Sequence, residues 1–409
     1  MTTIKLTSPK ELDQTTIDLP SSKSISNRLL ILNALSYSPW PVKNLSESDD
    51  TRALEVALTS NASVFNVGAA GTTMRFLTAF LSRIVGEWTI TGSERMKERP
   101  IGVLVEALRE LGANIEYAEK EGFPPLKLLG SSLQGKTLEL PGNISSQYIS
   151  ALLMIAPAIT DGLTLKLKGD ITSKPYINLT LKLMELYGVK SEWNGNTISV
   201  AEQPLKPVEV KAEGDWSAAS YWFQIVALSE AGASVALKGL DRYSLQGDSA
   251  VADLFKQLGV KHKFSQKGLI LTNNGEKSGS FKYDFTHQPD LAQTFAMTCA
   301  ALDIPFHLTG LHTLKIKETD RIQALINEAG KFGYAFTTND VDDLKWDGAK
   351  SEPRVEPLVA TYHDHRMAMA FAPLAIKHGA FSIENPVVVS KSYPGYWDDL
   401  MKAGFNVKF

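Results

Sequence analysis

The stretches Leu108–Tyr117 (LRELGANIEY), Leu183–Trp193 (LMELYGVKSEW) and Leu254–Phe264 (LFKQLGVKHKF) share one pattern. Each is a helix-like run that closes on Leu-Gly or Tyr-Gly and continues in alternation. Weaker copies occupy Ala329–Phe336 and Leu400–Phe409 (LMKAGFNVKF). Their glycines, Gly112, Gly188, Gly259, Gly333 and Gly404, recur at roughly 71 to 76 residues, the period of a whole supersecondary unit. Glycine at that place fits a left-handed helix C-terminus. The alternation after it fits a half-buried strand.

A second helix type runs between these copies, opening on small or polar residues and turning strongly apolar. Its openings are Ser22-Lys23-Ser24, Ala70-Gly71-Thr72, Ser145-Ser146-Gln147, Asp215-Trp216-Ser217, Asp290-Leu291-Ala292 and Asp364-His365-Arg366. After a first gap near 48 they recur at roughly 70 to 75 residues. Any one of them reads as simple N-capping; six in register read as architecture. The chain is thus strand, helix, strand, helix and hairpin, repeated about six times. This predicts an α/β (α+β) fold of two similar lobes with three units each. The change of lobe falls near Glu213-Gly214-Asp215, giving residues 21–213 to the first lobe and residues 1–20 with 214–409 to the second. The strand-like segment Ile4–Leu19 is expected to pair with the second lobe. Helices running parallel in a lobe bring their N-termini to one face, each with about half a positive charge and unpaired N–H groups. Two such faces would make an anion-attracting cleft between the lobes.

Composition alone supplies no such attraction. The 409 residues carry a formal net charge of −3, with 44% hydrophobic and 21% charged residues. That length exceeds one ordinary core, and the charge gives no pull toward nucleic acid or anionic membrane. The single cysteine, Cys299, lies in the apolar stretch Phe295–Leu302 and reads as a buried, inert thiol. Lack of a disulfide framework suits a reducing cytosol. Met1–Lys10 has no apolar core of a secretory signal. The longest apolar run, near Ile149–Ile159, is too short to span a bilayer and contains Pro157. The expectation is a cytoplasmic monomer with neither nucleic-acid nor membrane partners.

Charge is instead local. Lys23, Arg28, Arg75, Arg95, Lys97, Arg99, Lys174, Lys315, Lys317, Arg321, Arg366 and Lys391 gather at helix starts, where the dipole disfavours cations. A lone surface cation is a solvated charge. A dozen placed this way make sense if bound phosphates and carboxylates compensate them. Four carboxylates lie among them, Asp290, Glu318, Asp320 and Asp364, a minority suited to acid–base work. For Asp320 and Asp364 capping or ion pairing is the better reading; for Asp290 the two readings balance. Ser21-Ser22-Lys23-Ser24 resembles the tail of a P-loop but lacks its glycines. No GxGxxG opens a helix after a strand, and His363 with His365 is a weak metal signal. The expectation is an enzyme of anionic substrates using no cofactor and no metal.

The motifs SSKSISNR (Ser21–Arg28), AGTTMR (Ala70–Arg75), RMKERPIG (Arg95–Gly102), SSQ (Ser145–Gln147) and SKPY (Ser173–Tyr176) resemble those of the 5-enolpyruvylshikimate-3-phosphate synthase family of enolpyruvyl transferases. So do KETDR (Lys317–Arg321), DHRMAM (Asp364–Met369) and KSYPGY from Lys391, in the family's order over nearly the full length. The resemblance implies two lobes of βαβαββ units, inside-out and barrel-like, closing over phosphoenolpyruvate and shikimate 3-phosphate. It implies that Ser24 and Arg28 hold the shikimate carboxylate and that Ser145, Ser146 and Ser173 take the 3-phosphate. Tyr176, Gln147 and Thr313 would line the ring site. Arg99, Arg321, Arg366 and Lys391 would clamp phosphoenolpyruvate with Gly71, Thr72 and Gln147, while Lys23 and Lys317 bridge both substrates. Asp290 would accept the proton of the 5-hydroxyl. Glu318, with Lys23, would protonate the methylene carbon. Membership also implies a place in aromatic amino acid biosynthesis and, with Gly71 rather than alanine, competition by glyphosate.

This sequence departs from the family pattern in places. Ala69 stands where an asparagine is usual, Thr313 replaces another asparagine, and His363 a third. Between Ala57 and Val67 the chain is about twenty residues shorter than common relatives. The nearest rival is transfer to UDP-N-acetylglucosamine, whose enzymes carry a reactive cysteine on a mobile loop of the first lobe; Cys299 lies far from that place. A non-catalytic anion-binding relative is the other rival, and joint retention of Lys23, Asp290 and Glu318 argues against it.

Overall fold

Most of the small or polar openings do start helices. Ser22 accepts from the Ile25 N–H, Ser145 from Gln147, Asp215 from Ala218 and Asp364 from Arg366. The Asp290 opening differs: it lies in a single 3-10 turn, Pro289–Leu291, ahead of the helix Ala292–Ala301. The helices that follow are interior. Ala292–Ala301 is buried along its whole length, and Trp216–Leu228 at every residue but Ser217, as helices apolar on all sides must be.

The structure, a computed structural model, describes residues 2–12 and 15–409; Met1, Asp13 and Gln14 lie outside the described residues. The chain divides into two compact units, Ser21–Ala212 and Met1–Pro20 with Glu213–Phe409, each with its own apolar core. The fold is mixed α/β, with buried helices and small sheets.

In the unit Ser21–Ala212, one sheet has the order Val64–Asn66, Glu87–Thr91, Leu126–Leu129, Asn114–Tyr117. The other runs Thr137–Pro141, Leu163–Lys168, Thr197–Val200, Glu192–Asn194. In both, the first pair is parallel and the rest antiparallel. The third repeat is reduced to one parallel bridge, Lys43 to Lys211, with the helix Asp49–Thr59.

The other unit keeps three sheets. The N-terminal segment contributes two strands to different ones. Thr15–Asp18 lies parallel to Ser234–Lys238, and Thr3–Thr7 sits between Phe381–Glu384 and Asn406–Lys408. All five repeat glycines have positive φ, from 78° at Gly188 to 98° at Gly112, which an L side chain would strain. Among the described residues no helix is long and apolar enough to cross a membrane.

Candidate active site

In the unit Ser21–Ala212 the candidate residues form two connected chains, both starting on the helix Lys23–Leu35. In the first, Lys23 Nζ lies 4.0 Å from Asp50 Oδ2, and Asp50 accepts from the Thr72 N–H at 3.4 Å. The Gln147 Nε2 group donates to Thr72 Oγ1 at 3.1 Å. Gly71 starts the neighbouring helix, where an added Cβ would stand 2.7 Å from Arg99 Nη1 and 3.0 Å from Arg75 Nη1. A side chain there would push aside the two guanidinium groups that approach the helix start. Arg75 donates to the carbonyls of Gly71 at 3.0 Å and Pro100 at 3.4 Å, which ties the RMKERPIG segment to that helix.

The second chain centres on Arg28. Its Nε donates to Thr180 Oγ1 at 2.7 Å and its Nη1 to the Ser24 carbonyl at 2.9 Å. Its Nη2 donates to Ser150 Oγ at 3.0 Å and the Tyr176 carbonyl at 3.4 Å. Burial lowers its pKa to about 10, with Tyr176 opposing. Four of the five N–H groups of this guanidinium are engaged, which joins Ser24 to the SKPY helix and leaves one Nη1 N–H for a ligand. The serine loops meet as well: the Thr172 N–H donates to the Gly142 carbonyl at 3.1 Å and its hydroxyl to Ile144 at 3.4 Å. This sets Ser145 and Ser146 near Ser173. Ser173 is buried in the left-handed region, at φ 53°, a strain that persists where structure overdetermines it.

The other unit holds a denser cluster around Arg321. Its Nε donates to Asp364 Oδ2 at 2.7 Å, its Nη1 to Asp290 Oδ1 at 2.9 Å and its Nη2 to Glu318 Oε2 at 2.9 Å. Arg366 Nη2 lies 3.0 Å from Asp290 Oδ2 and Lys317 Nζ 3.8 Å from Asp290 Oδ1. Lys391 donates to Glu318 Oε1 at 2.6 Å. Burial opposes ionisation of Asp290, but Arg366, Lys317 and Arg321 outweigh it and hold the carboxyl well below its usual range. Burial disfavours the Arg321 charge too, and Asp364, Glu318 and Asp290 together raise its pKa. Thr313 Oγ1, in the turn His312–Ile316, is buried with no hydrogen-bond partner among the described residues.

Asp320 and Asp364 are both caps: Asp320 accepts from Ile322 and Gln323, and Asp364 also pairs with Arg321. Arg95, Lys97 and Lys315 bind exposed surface partners, and Lys174 is exposed. Cys299 is buried, which pushes its thiol pKa up. Three polar residues of the clusters went unread in the sequence. Asp50 looks like any acidic residue in a helix first turn. Tyr221, whose hydroxyl accepts from Arg366 Nη1 at 3.3 Å, hides in an apolar helix. Asp248 is buried and accepts from the Ser217 hydroxyl; burial first and the Asp290 charge second raise its pKa to about 6.

A family profile described as EPSP synthase (3-phosphoshikimate 1-carboxyvinyltransferase) matches residues 53–400. A Bacteroides fragilis protein named 3-phosphoshikimate 1-carboxyvinyltransferase is 53% identical over 404 residues, covering 98% of each chain. One of the same name from Shewanella pealeana is 36% identical over 415 residues, 94% of this chain and 95% of that one. The solved EPSP synthase of Acinetobacter baumannii aligns over 100% of both chains with a TM-score of 0.79 at 21% identity, a likeness of fold.

Proposed function

This chain belongs to the EPSP synthase family, and from that premise we propose that it transfers the carboxyvinyl group of phosphoenolpyruvate to the 5-hydroxyl of shikimate 3-phosphate. The observation that carries the chemistry is the Arg321 cluster, where two carboxylates suited to be base and acid, Asp290 and Glu318, share one buried arginine among three further cations.

Glu318, with Lys23, delivers a proton to the methylene carbon of phosphoenolpyruvate. The adjacent carbon gains cationic character, and the 5-hydroxyl attacks it as Asp290 takes the hydroxyl proton. The resulting tetrahedral adduct loses a proton from its new methyl group and expels phosphate, which restores the carbon–carbon double bond, now as a vinyl ether. Atoms balance: one C–O bond forms, one breaks, and inorganic phosphate leaves.

The resting ion pairs suit this sequence. At rest, Arg366 and Lys391 are occupied by Asp290 and Glu318. An incoming phosphoenolpyruvate carboxylate and phosphate compete for these cations. Each carboxylate that loses its counter-charge becomes more basic, so substrate anions raise the proton affinity of base and acid together. Arg99 and Gly71, with Thr72 and Gln147, serve the phosphoenolpyruvate anion; Arg321 positions the carboxylates while clamping it. Ser145, Ser146 and Ser173 hold the 3-phosphate, Arg28 and Ser24 the shikimate carboxylate, and Tyr176, Thr313 and Lys317 the ring. Fixed cations offset the repulsion between two anionic reactants and orient them.

We also read the protein as a cytoplasmic monomer with the catalytic residues divided between residues 21–213 and the remainder. Sedimentation at working concentration checks the first point.

The test is phosphate release from phosphoenolpyruvate with each acceptor in turn, the product identified by mass. Shikimate 3-phosphate alone is expected to support it. Release with UDP-N-acetylglucosamine, or with neither, would overturn the reading.

A further inference from the structure

One arginine away from these clusters lacks a counter-charge. Arg83 follows the helix Gly71–Leu81, directly after its capping residue Ser82. Among the described residues its guanidinium has no hydrogen bond or ion pair, and its Nε is buried without a partner. Burial lowers its pKa, opposed by the nearby Tyr37 phenol. Its terminal nitrogens are not buried, so they are open to water or to a ligand, and an arginine keeps its proton.

Arg83 lines an open, solvent-facing cavity of about 550 Å³. The other polar groups of that lining are mostly committed. Gln203 holds Lys190 through both ends of its amide, at 2.8 and 2.9 Å, and Glu202 Oε2 accepts from the Asp161 N–H at 2.9 Å. What remains toward a ligand is the Arg83 cation, the Tyr37 phenol, the exposed Glu202 carboxylate and an apolar wall that includes Pro157, Pro204 and Leu205. Tyr37 sits in the left-handed region at φ 51° with its side chain largely exposed, a conformation uncommon for an aromatic residue. The cavity shares no residue with the proposed active site.

We propose that this cavity binds a small molecule that joins a carboxylate to a flat apolar body. The carboxylate pairs with Arg83, whose planar donors suit it, and the body lies against Tyr37 and the prolines. The site requires both features: the anion for the orphan charge, the apolar face for the wall.

The test is calorimetric titration of the full chain with 3-phenylpropionate, in the presence of saturating phosphoenolpyruvate and inorganic phosphate to occupy other anion sites. Saturable one-to-one binding is expected, weakened about tenfold or more by Arg83→Gln, with turnover of that variant unchanged. The uncharged 3-phenylpropionamide should not bind. Arg83→Lys, which keeps the charge without the fork, should bind more weakly than the wild type but better than Arg83→Gln. Absence of saturable binding, equal binding to Arg83→Gln, or equal binding of the amide would overturn the proposal. If Arg83→Gln fails to fold, the Arg83→Lys and amide comparisons decide it.

Discussion

Asp290 feels two opposed influences, burial against its charge and three cations in favour of it, and the cations win. A carboxyl so depressed contributes stability that is present above the ordinary aspartate range and lost as pH falls through its folded value. Asp290→Asn is expected to lower kcat by about 10²- to 10⁴-fold while shikimate 3-phosphate still binds; near-normal turnover would remove it as the base. Asp248 behaves in the opposite sense. Its pKa of about 6 means the folded state holds its proton more tightly, so stability from this group falls as pH rises from about 4 through 6. Once ionised it adds negative charge near Asp290 and Arg366, and also Asp215. Asp248→Asn should therefore flatten the pH dependence of the phosphoenolpyruvate KM between about pH 5 and 7; an unaltered profile contradicts this. Sequence separated Asp320 and Asp364 from Asp290 because capping has a local signature. Asp248, Asp50 and Tyr221 had none, since their environment comes from residues remote in the chain.

At the scale of elements, the repeat glycines were readable because a left-handed helix end is a local requirement, and all five carry it. Ser173 was readable only by motif, since nothing in its neighbours announces positive φ. Ser173→Gly should hold stability within about 1 kcal/mol, relief of backbone strain offsetting glycine's entropy. The lost hydroxyl should raise the shikimate 3-phosphate KM; an unchanged KM would remove Ser173 from the phosphate site. The turn bearing Lys391 is fixed by a buried relay in which Trp222 Nε1 donates to the Tyr393 hydroxyl at 3.2 Å, and that hydroxyl donates to Asp399 Oδ2 at 2.7 Å. Tyr393→Phe leaves a buried carboxylate oxygen unsatisfied, costing about 1–3 kcal/mol. It should lower Tm and raise the phosphoenolpyruvate KM more than it lowers kcat; a Tm change alone would make the relay purely structural. Gly71→Ala, with its Cβ 2.7 Å from Arg99 Nη1, should likewise raise that KM.

At the scale of the whole molecule, a period near 70 residues made a repeated α/β fold legible, because each repeat must cap, turn and alternate alike. The third repeat of Ser21–Ala212 was less legible: the shortening showed in the sequence, but the loss of a sheet to a single bridge depends on which strands remain to pair. The split of the N-terminal segment between two sheets was also beyond a local reading, since it is decided by partners more than 200 residues away. The central claim is addition followed by elimination, with a transient methyl group. Turnover in deuterium oxide, read by mass spectrometry of the product, tests it most directly. Deuterium in the product's vinyl methylene is expected, because a proton from solvent enters that carbon before one leaves. A vinyl group free of deuterium after full turnover would contradict the account.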